Sequence, residues 1–466
     1  MKVVIAGAGD VGFQIAKQLI DERKDVVVIE RDQKTAKHAA NYLDCFVIQG
    51  EGNNIDVLRN AGVDGADFFI SVTNSDEVNM ISCGLVASEF NVPSKIARVR
   101  NIDYSKTYIT SSPFLGIDHI VNPEIEASKV IIRAIEHGAM SDVFLFERTR
   151  FQMRSISVTN GSPLTDRSLS DIKRSFSVDF LVAFILRNNS YIIPSGDTVI
   201  QDNDTVYIVA EEQNLETLFV KTGIHRVNLN RIVIAGGGKI GNYVADHLLR
   251  KQNRDMRFFS RVSKTLFHKW RQNIVIVERD KEKCMTLSER FPNALILNED
   301  IADEGVHEEG QFSDYDLIVA ATDNQELNVI TAVYAKSIGI KRAIAVVNRN
   351  SYRNIASSIG IDVTVSQKIS MVNAILRLVR RGNIRNIYSF SDGWIEVIEL
   401  SVDNENISGS KIQDIRLPSQ TLIVTLTRDD HTILPDGNST VQKGDYLVVI
   451  ARKESIGRIE SIFSGE

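Results

Sequence analysis

Two glycine-rich strings, 229 residues apart, are the residues of this chain best suited by type and spacing to hold a ligand. The first is Gly7-Ala8-Gly9-Asp10-Val11-Gly12; the second is Gly236-Gly237-Gly238-Lys239-Ile240-Gly241. Each follows a short β-branched run and precedes a helix-like segment. In such a turn the first glycine permits a sharp strand-to-helix reversal. The second lets the backbone approach a pyrophosphate, and the third lets helix pack closely on strand. The free amides and positive dipole end of the helix then face the phosphates. Glu30 and Glu278 close the next strand of each unit. A carboxylate there accepts both hydroxyls of a ribose and repels a 2′-phosphate, which favours NAD or an adenosine nucleotide over NADP. Arg31 and Arg279 directly follow these acids and soften that preference. A single G-x-G-x-x-G is a weak signal; two, each between strand and helix, make the chain a tandem repeat. A degenerate unit that binds nothing stays open as the other reading, more so for the second copy.

Further candidates lie downstream. Thr73-Asn74-Ser75-Asp76-Glu77-Val78-Asn79 matches Thr322-Asp323-Asn324-Gln325-Glu326-Leu327-Asn328. Both fall where a fourth strand meets its helix, at the carboxyl edge that binds ligands in such sheets. Thr73 and Asn74 are therefore expected to touch ligand, against the alternative of a well-capped helix start. Arg98 and Arg100 end the fifth strand of the first unit. Alternation puts them on one face, and two cations there suit the β- and γ-phosphates of ATP; surface ion pairing is the alternative. The matching string Val346-Val347-Asn348-Arg349 has one arginine displaced, so the two sites are expected to differ. The second unit also carries an insertion, Asn253–Gln272, that mixes basic residues with Phe258, Phe259, Leu266, Phe267 and Trp270. It suits an anionic membrane surface or acidic partner, or it is a surface excursion. There is no P-loop string and no H-E-x-x-H, and the eight histidines show no metal spacing.

The elements that must position these residues are legible from periodicity. Strands at 25–30, 45–50, 67–73 and 95–100 alternate with helices at 13–22, 33–42, 55–61 and 77–90, and strands at 273–278, 294–298, 316–322 and 342–348 repeat the order. That alternation predicts an α/β fold: two Rossmann-like doubly wound parallel sheets. Each half then carries a helix with apolar spacing, one holding Ile125, Ile131, Ile132 and Ile135, the other Met371, Ile375, Leu378 and Val379. Such a terminal helix is expected on its own sheet or on a neighbouring subunit. A smaller α+β module follows each unit, marked by Ile193-Pro-Ser-Gly196 and Leu434-Pro-Asp-Gly437. The expected domains are 1–123, 143–227, 229–368 and 386–466.

At 43% hydrophobic and 24% charged, the composition is that of a globular protein, and a net charge of −6 speaks against nucleic acid as partner. The odd, scattered Cys45, Cys83 and Cys284 fit a reducing cytoplasm rather than a disulfide framework. The chain opens directly on a strand, so no signal peptide is expected, and its apolar runs are of strand length, short of a membrane span.

With these residues in view, the chain resembles the Trk-type potassium-uptake regulatory family over nearly its whole length. The carriers are Gly7 to Gly12, Val72 to Met80, Ile96 to Asn101, Val233 to Gly241 and both Pro-x-Gly modules. The resemblance implies two tandem RCK units, each a nucleotide-binding KTN domain with a C-terminal subdomain. It implies a cytoplasmic homotetrameric gating ring, peripheral on the inner face of the inner membrane and docked on a Trk-type potassium channel subunit. NAD(H) and ATP or ADP are its implied regulatory ligands, without catalysis. By motif position, Gly7, Ala8, Gly9, Asp10, Val11, Glu30, Thr73, Asn74, Arg98 and Arg100 belong to the first site. Gly236, Gly237, Gly238, Lys239, Ile240 and Glu278 belong to the second. The insertion after Asn253 departs from the family pattern. The alternatives are an NAD-dependent oxidoreductase, disfavoured because the regions after the two Rossmann units copy each other, and an RCK-type regulator of another cation channel or efflux system.

Overall fold

The computed structural model describes all residues except 102, 105–113, 140–142, 147–148, 159–160, 189, 223–228, 260–272, 304, 307–309, 381–383, 391–394 and 466. The chain forms two compact units: one joins residues 1–141 with 227–376, the other joins 142–226 with 377–466. Each unit is thus built from matching parts of both halves of the sequence.

The first unit holds two six-stranded parallel sheets. In the first half, β1 (Lys2–Ala6), β2 (Asp25–Glu30), β3 (Phe46–Gln49), β4 (Phe68–Ser71), β5 (Ser94–Arg98) and β6 (His119–Val121) lie in the order β3-β2-β1-β4-β5-β6. Helices α1 (Asp10–Asp21), α2 (Gln33–Tyr42), α3 (Ile55–Asn60), α4 (Asp76–Glu89) and α5 (Pro123–Glu136) connect or follow the strands. A sheet covered on both faces needs apolar runs rather than alternation, and Val3, Val4, Ile5 and Ala6 are all fully buried. The strand order reverses between β1 and β4, which opens a crevice at their carboxyl ends.

The chain passes through the second unit's first sheet and returns to build the same order again. That first small sheet is antiparallel, β10-β9-β11-β8-β7, from β7 (Val143–Leu145), β8 (Phe151–Ser157), β9 (Leu181–Arg187), β10 (Ser190–Ile192) and β11 (Thr205–Glu211), with helices α6 (Leu169–Ser175) and α7 (Glu212–Lys221). The second Rossmann sheet runs β14-β13-β12-β15-β16-β17, from β12 (Ile232–Ala235), β13 (Ile274–Val277), β14 (Leu295–Leu297), β15 (Leu317–Ala320), β16 (Arg342–Val346) and β17 (Val363–Val365). Its helices are α8 (Lys239–Phe259), α9 (Lys281–Arg290), α10 (Gln325–Ser337), α11 (Asn350–Ser358) and α12 (Gln367–Val379). The last sheet, β18-β19-β22-β20-β21, repeats the antiparallel topology from β18 (Ile384–Phe390), β19 (Ile395–Ser401), β20 (Leu422–Arg428), β21 (His431–Ile433) and β22 (Tyr446–Arg452), and helix α13 (Ile456–Ser464) ends the chain. The two small sheets share one apolar core, in which Met153, Phe184, Tyr207 and Val209 meet Val397, Val424, Val448 and Ile450.

The terminal helix of the first Rossmann domain departs from expectation. Ala127, Ile131 and Ile135 of α5 are buried with Ile240, Val244 and Leu249 of α8 and Val365 of β17. This face of the helix therefore packs on the other nucleotide domain of the same chain rather than on its own sheet. Of the basic-aromatic insertion, α8 runs to Phe259, and 260–272 lie outside the described residues.

Candidate functional site

Both glycine turns follow from close contacts that a side chain would break. Gly7 and Gly236 have φ of 106°, a region open to glycine. A Cβ on Gly12 would stand 1.8 Å from the Gly7 carbonyl oxygen, and one on Gly241 2.0 Å from that of Gly236. At Gly9 and Gly238 a Cβ would meet nothing within 4 Å. The middle glycine thus leaves clear backbone at the helix N-terminus, where a phosphate would sit. Helix α1 starts at Asp10, three residues before periodicity placed it, because extended Gly9 serves as its N-cap.

Glu30 ties this turn to the next helix. Its Oε2 accepts from the Ala8 amide at 2.7 Å and its Oε1 from the Asp32 amide at 2.9 Å. Glu278 repeats the pattern with the Gly237 amide at 3.0 Å and the Asp280 amide at 2.9 Å. Each carboxylate oxygen keeps a lone pair for a ribose hydroxyl. The second turn is packed more tightly, since Glu278 is only 8% exposed and Glu30 is half-buried. A Cβ at Gly237 would fall 2.4 Å from Leu287 Cδ1. The first half has alanine at both equivalent positions, Ala8 and the buried Ala39. Volume lost in the turn is regained in the helix. Beside Glu30, Arg31, Asp32, Gln49, Gly50 and Glu51 line a cavity of about 600 Å³.

Thr73 sits at the carboxyl end of β4, held by a residue to which the sequence reading gave no role. Asn79 is fully buried. Its Oδ1 accepts from the Thr73 amide at 2.8 Å, the Thr73 hydroxyl at 2.7 Å and the Ser71 hydroxyl at 3.1 Å. Its Nδ2 donates to the carbonyls of Thr73 at 3.1 Å and Arg98 at 2.9 Å. Asn328 makes the matching bonds to Thr322 and to the Val346 carbonyl. The T-x5-N spacing, present in both halves, was the available signal. Ser75 and Asn324 cap the two helices, and Asn74 stands exposed beside the first cap.

The arginines differ from expectation. Strand β5 ends at Arg98, so alternation does not reach Arg100. Arg98 is 7% exposed, donates to the Thr73 carbonyl at 3.3 Å, and has its Nε buried without a partner. Burial and the neighbouring Arg100 lower its pKa. Arg100 is half-exposed, 4.0 Å from Glu124, while its amide and that of Asn101 donate to Asp76. The contacts of Asn79 and Asn328 fix the correspondence of the halves: Arg98 matches Val346 and Arg100 matches Asn348. Neither arginine has a basic counterpart, a larger difference than one displaced residue.

Lys239 of the second turn reaches out of its own domain and donates to the Arg100 carbonyl at 3.0 Å. Asp10, its equivalent, pairs with Lys368 of α12. Val11 and Ile240 are buried under their turns. Among the described residues no cluster of His, Cys, Asp and Glu could hold a metal, and no helix is long and apolar enough to cross a membrane.

The model of the TrkA-N domain matches residues 3–123 and 232–367, and that of the TrkA-C domain matches 153–222 and 397–464. A Trk system potassium uptake protein TrkA from Halomonas elongata is 32% identical, covering 99% of this chain and 98% of its own. A TrkA homolog from Methanosarcina mazei is 30% identical over 99% of this chain and all of its own. Among solved structures, the GsuK RCK domain matches at TM-score 0.55 and 16% identity over 100% of this chain and 95% of its own. The GsuK channel bound to NAD matches at the same score and identity, over 100% and 79%. Those two share the fold. With both family models matched twice and relatives similar from end to end, the chain belongs to the TrkA family of Trk system potassium uptake proteins.

Proposed function

We propose that this chain is a non-catalytic nucleotide sensor. It binds NAD(H) and ATP or ADP at its two glycine turns and relays ligand state to a Trk-type membrane potassium channel subunit. The observation that carries the reading is the repeated construction of the turns: each has an open helix N-terminus and a glutamate that bridges the turn to the next helix. Gly7, Ala8, Gly9 and Val11 with Glu30 hold pyrophosphate and ribose in the first site; Gly236, Gly237, Gly238 and Ile240 with Glu278 do so in the second. Thr73, and Asn74 beside it, close the first site at the β4 edge. The NAD bound by the similarly folded GsuK channel supports this class of ligand.

Assembly into a homotetrameric ring on the cytoplasmic face of the inner membrane completes the reading. Ile81 on α4 and Leu115 are 49% and 46% exposed, and their equivalents Ile330 and Ile359 are 66% and 47% exposed. The same apolar edge thus recurs in both halves, as expected of a surface that meets further copies of itself. A ligand shifts such a ring only through its differential affinity for two states.

A ligand bound by the folded state alone adds about 2.7 kcal/mol of apparent stability at a hundredfold excess over its dissociation constant. NADH, ATP and ADP should therefore each raise the melting temperature without being consumed. In vesicles with the partner channel, Glu30→Ala should blunt the response of flux to nucleotide yet keep the complex together. No thermal shift with any of the three ligands refutes nucleotide sensing.

A further inference from the structure

The two nucleotide domains meet where α5 packs on α8 and where Lys368 of α12 pairs with Asp10, and the charges contributed by the two glycine turns are inverted. Helix α5 begins Asn122-Pro123-Glu124, and α12 follows Ser366 with Gln367-Lys368. Asn122 accepts from the Ile125 amide at 3.0 Å, and Ser366 accepts from the Ile369 amide at 3.4 Å. These matching caps make Glu124 and Lys368 equivalent. Asp10 and Lys239 hold equivalent places in the glycine turns.

At the strand edge of the first site, Lys239 arrives from the other domain on the Arg100 carbonyl, beside the buried and partly unsatisfied Arg98. Arg98 and Arg100 flank Glu124, one oxygen of which is buried without a partner, and Lys239 joins them at the Arg100 carbonyl. The Asp76 carboxylate is engaged by the Arg100 and Asn101 amides. At the second edge the incoming residue is an aspartate. Lys368 is neutralised by Asp10, Val346 and Asn348 replace the two arginines, and Arg349 stacks on the Tyr352 ring. Phosphates beyond the first pair extend from a glycine turn toward this edge. Cations there stabilise them, and a carboxylate opposes them.

We propose that this inversion divides the ligands: the first site selects a nucleotide with a phosphate beyond the first pair, ATP, and the second a dinucleotide whose only phosphates are that pair, NAD(H). The division rests on the nucleotide-sensing reading above. Lys239 and Asp10, each acting on the domain that does not contain it, are the residues that set it.

Calorimetric titration of the full chain tests this, with ATP and NADH added singly and one after saturation by the other. One equivalent of each per chain is expected, without competition. Lys239→Gln should weaken ATP about tenfold and NADH far less, Lys239→Arg should restore ATP, and Asp10→Asn should admit a second equivalent of ATP. Competition for the same equivalents, or equal loss of both ligands in folded Lys239→Gln, overturns the division and leaves nucleotide sensing standing. A wild-type chain that binds neither ligand overturns both.

Discussion

Replacing Asn79 with alanine should free the loop at the β4 edge of the first site. The amide accepts three bonds and donates two, at distances from 2.7 to 3.1 Å, and the residue has no exposure to solvent. A net hydrogen bond contributes about 1 kcal/mol, and a buried group left unpaired costs more. Thr73 is only half-buried, so water would recover part of the loss on its side. The expected local cost is about 3 kcal/mol, within the range of severe single substitutions. A chain of several domains does not melt in a single two-state step, so the effect is best read locally. Hydrogen exchange of the Thr73 amide, protected by Asn79 Oδ1, should accelerate roughly a hundredfold at about 1.4 kcal/mol per decade. Asn328→Ala should do the same to Thr322. Exchange of the segment 71–75 within threefold or so of wild type would refute the claim that this one side chain holds the loop.

The remaining predictions follow from contacts at the turns and in the small sheets. Gly12→Ala should lower the melting temperature because its Cβ falls 1.8 Å from a backbone oxygen, whereas Gly9→Ala, with nothing within 4 Å, should fold normally and lose nucleotide affinity. Unchanged melting of Gly12→Ala would contradict the turn geometry. Gly237→Ala should destabilise by about 1–3 kcal/mol through overpacking on Leu287. The double variant with Leu287→Ala should recover most of that, measured as a coupling in a double-mutant cycle; strictly additive losses would count against the packing argument. Arg428 holds the buried Asp445 through two bonds of 2.7 Å, and Arg428→Ala should cost about 3–5 kcal/mol by stranding that carboxylate. Denaturant unfolding would show it, and a loss below 1 kcal/mol or so would mean that water reaches Asp445. Arg187→Ala should behave alike through Asp204.

The tandem organisation, the parallel sheets, the glycine turns and their partner glutamates are all legible in the amino-acid sequence, because each rests on a local rule. Periodicity, a turn that needs positive φ and a cap operate within a few residues of chain. The strand at 25–30 and the helix at 33–42 coincide with β2 and α2 for that reason. What tertiary structure alone decides is which surface an element finds. The apolar stripe of α5 declares that it will be buried, yet only the assembled core shows it against α8. Arg98 and Arg100 read as a pair on a strand until β5 ends between them and burial takes one and not the other. Asn79 looked like part of a capping string; its amide is the centre of the loop because residues 71, 73 and 98 converge on it in space. The opposite charges of Asp10 and Lys239 are plain in the sequence, but their meaning depends on partners more than a hundred residues away, Lys368 and the Arg100 carbonyl. Local chemistry is written along the chain, whereas burial and charge pairing are properties of distances that exist only after folding.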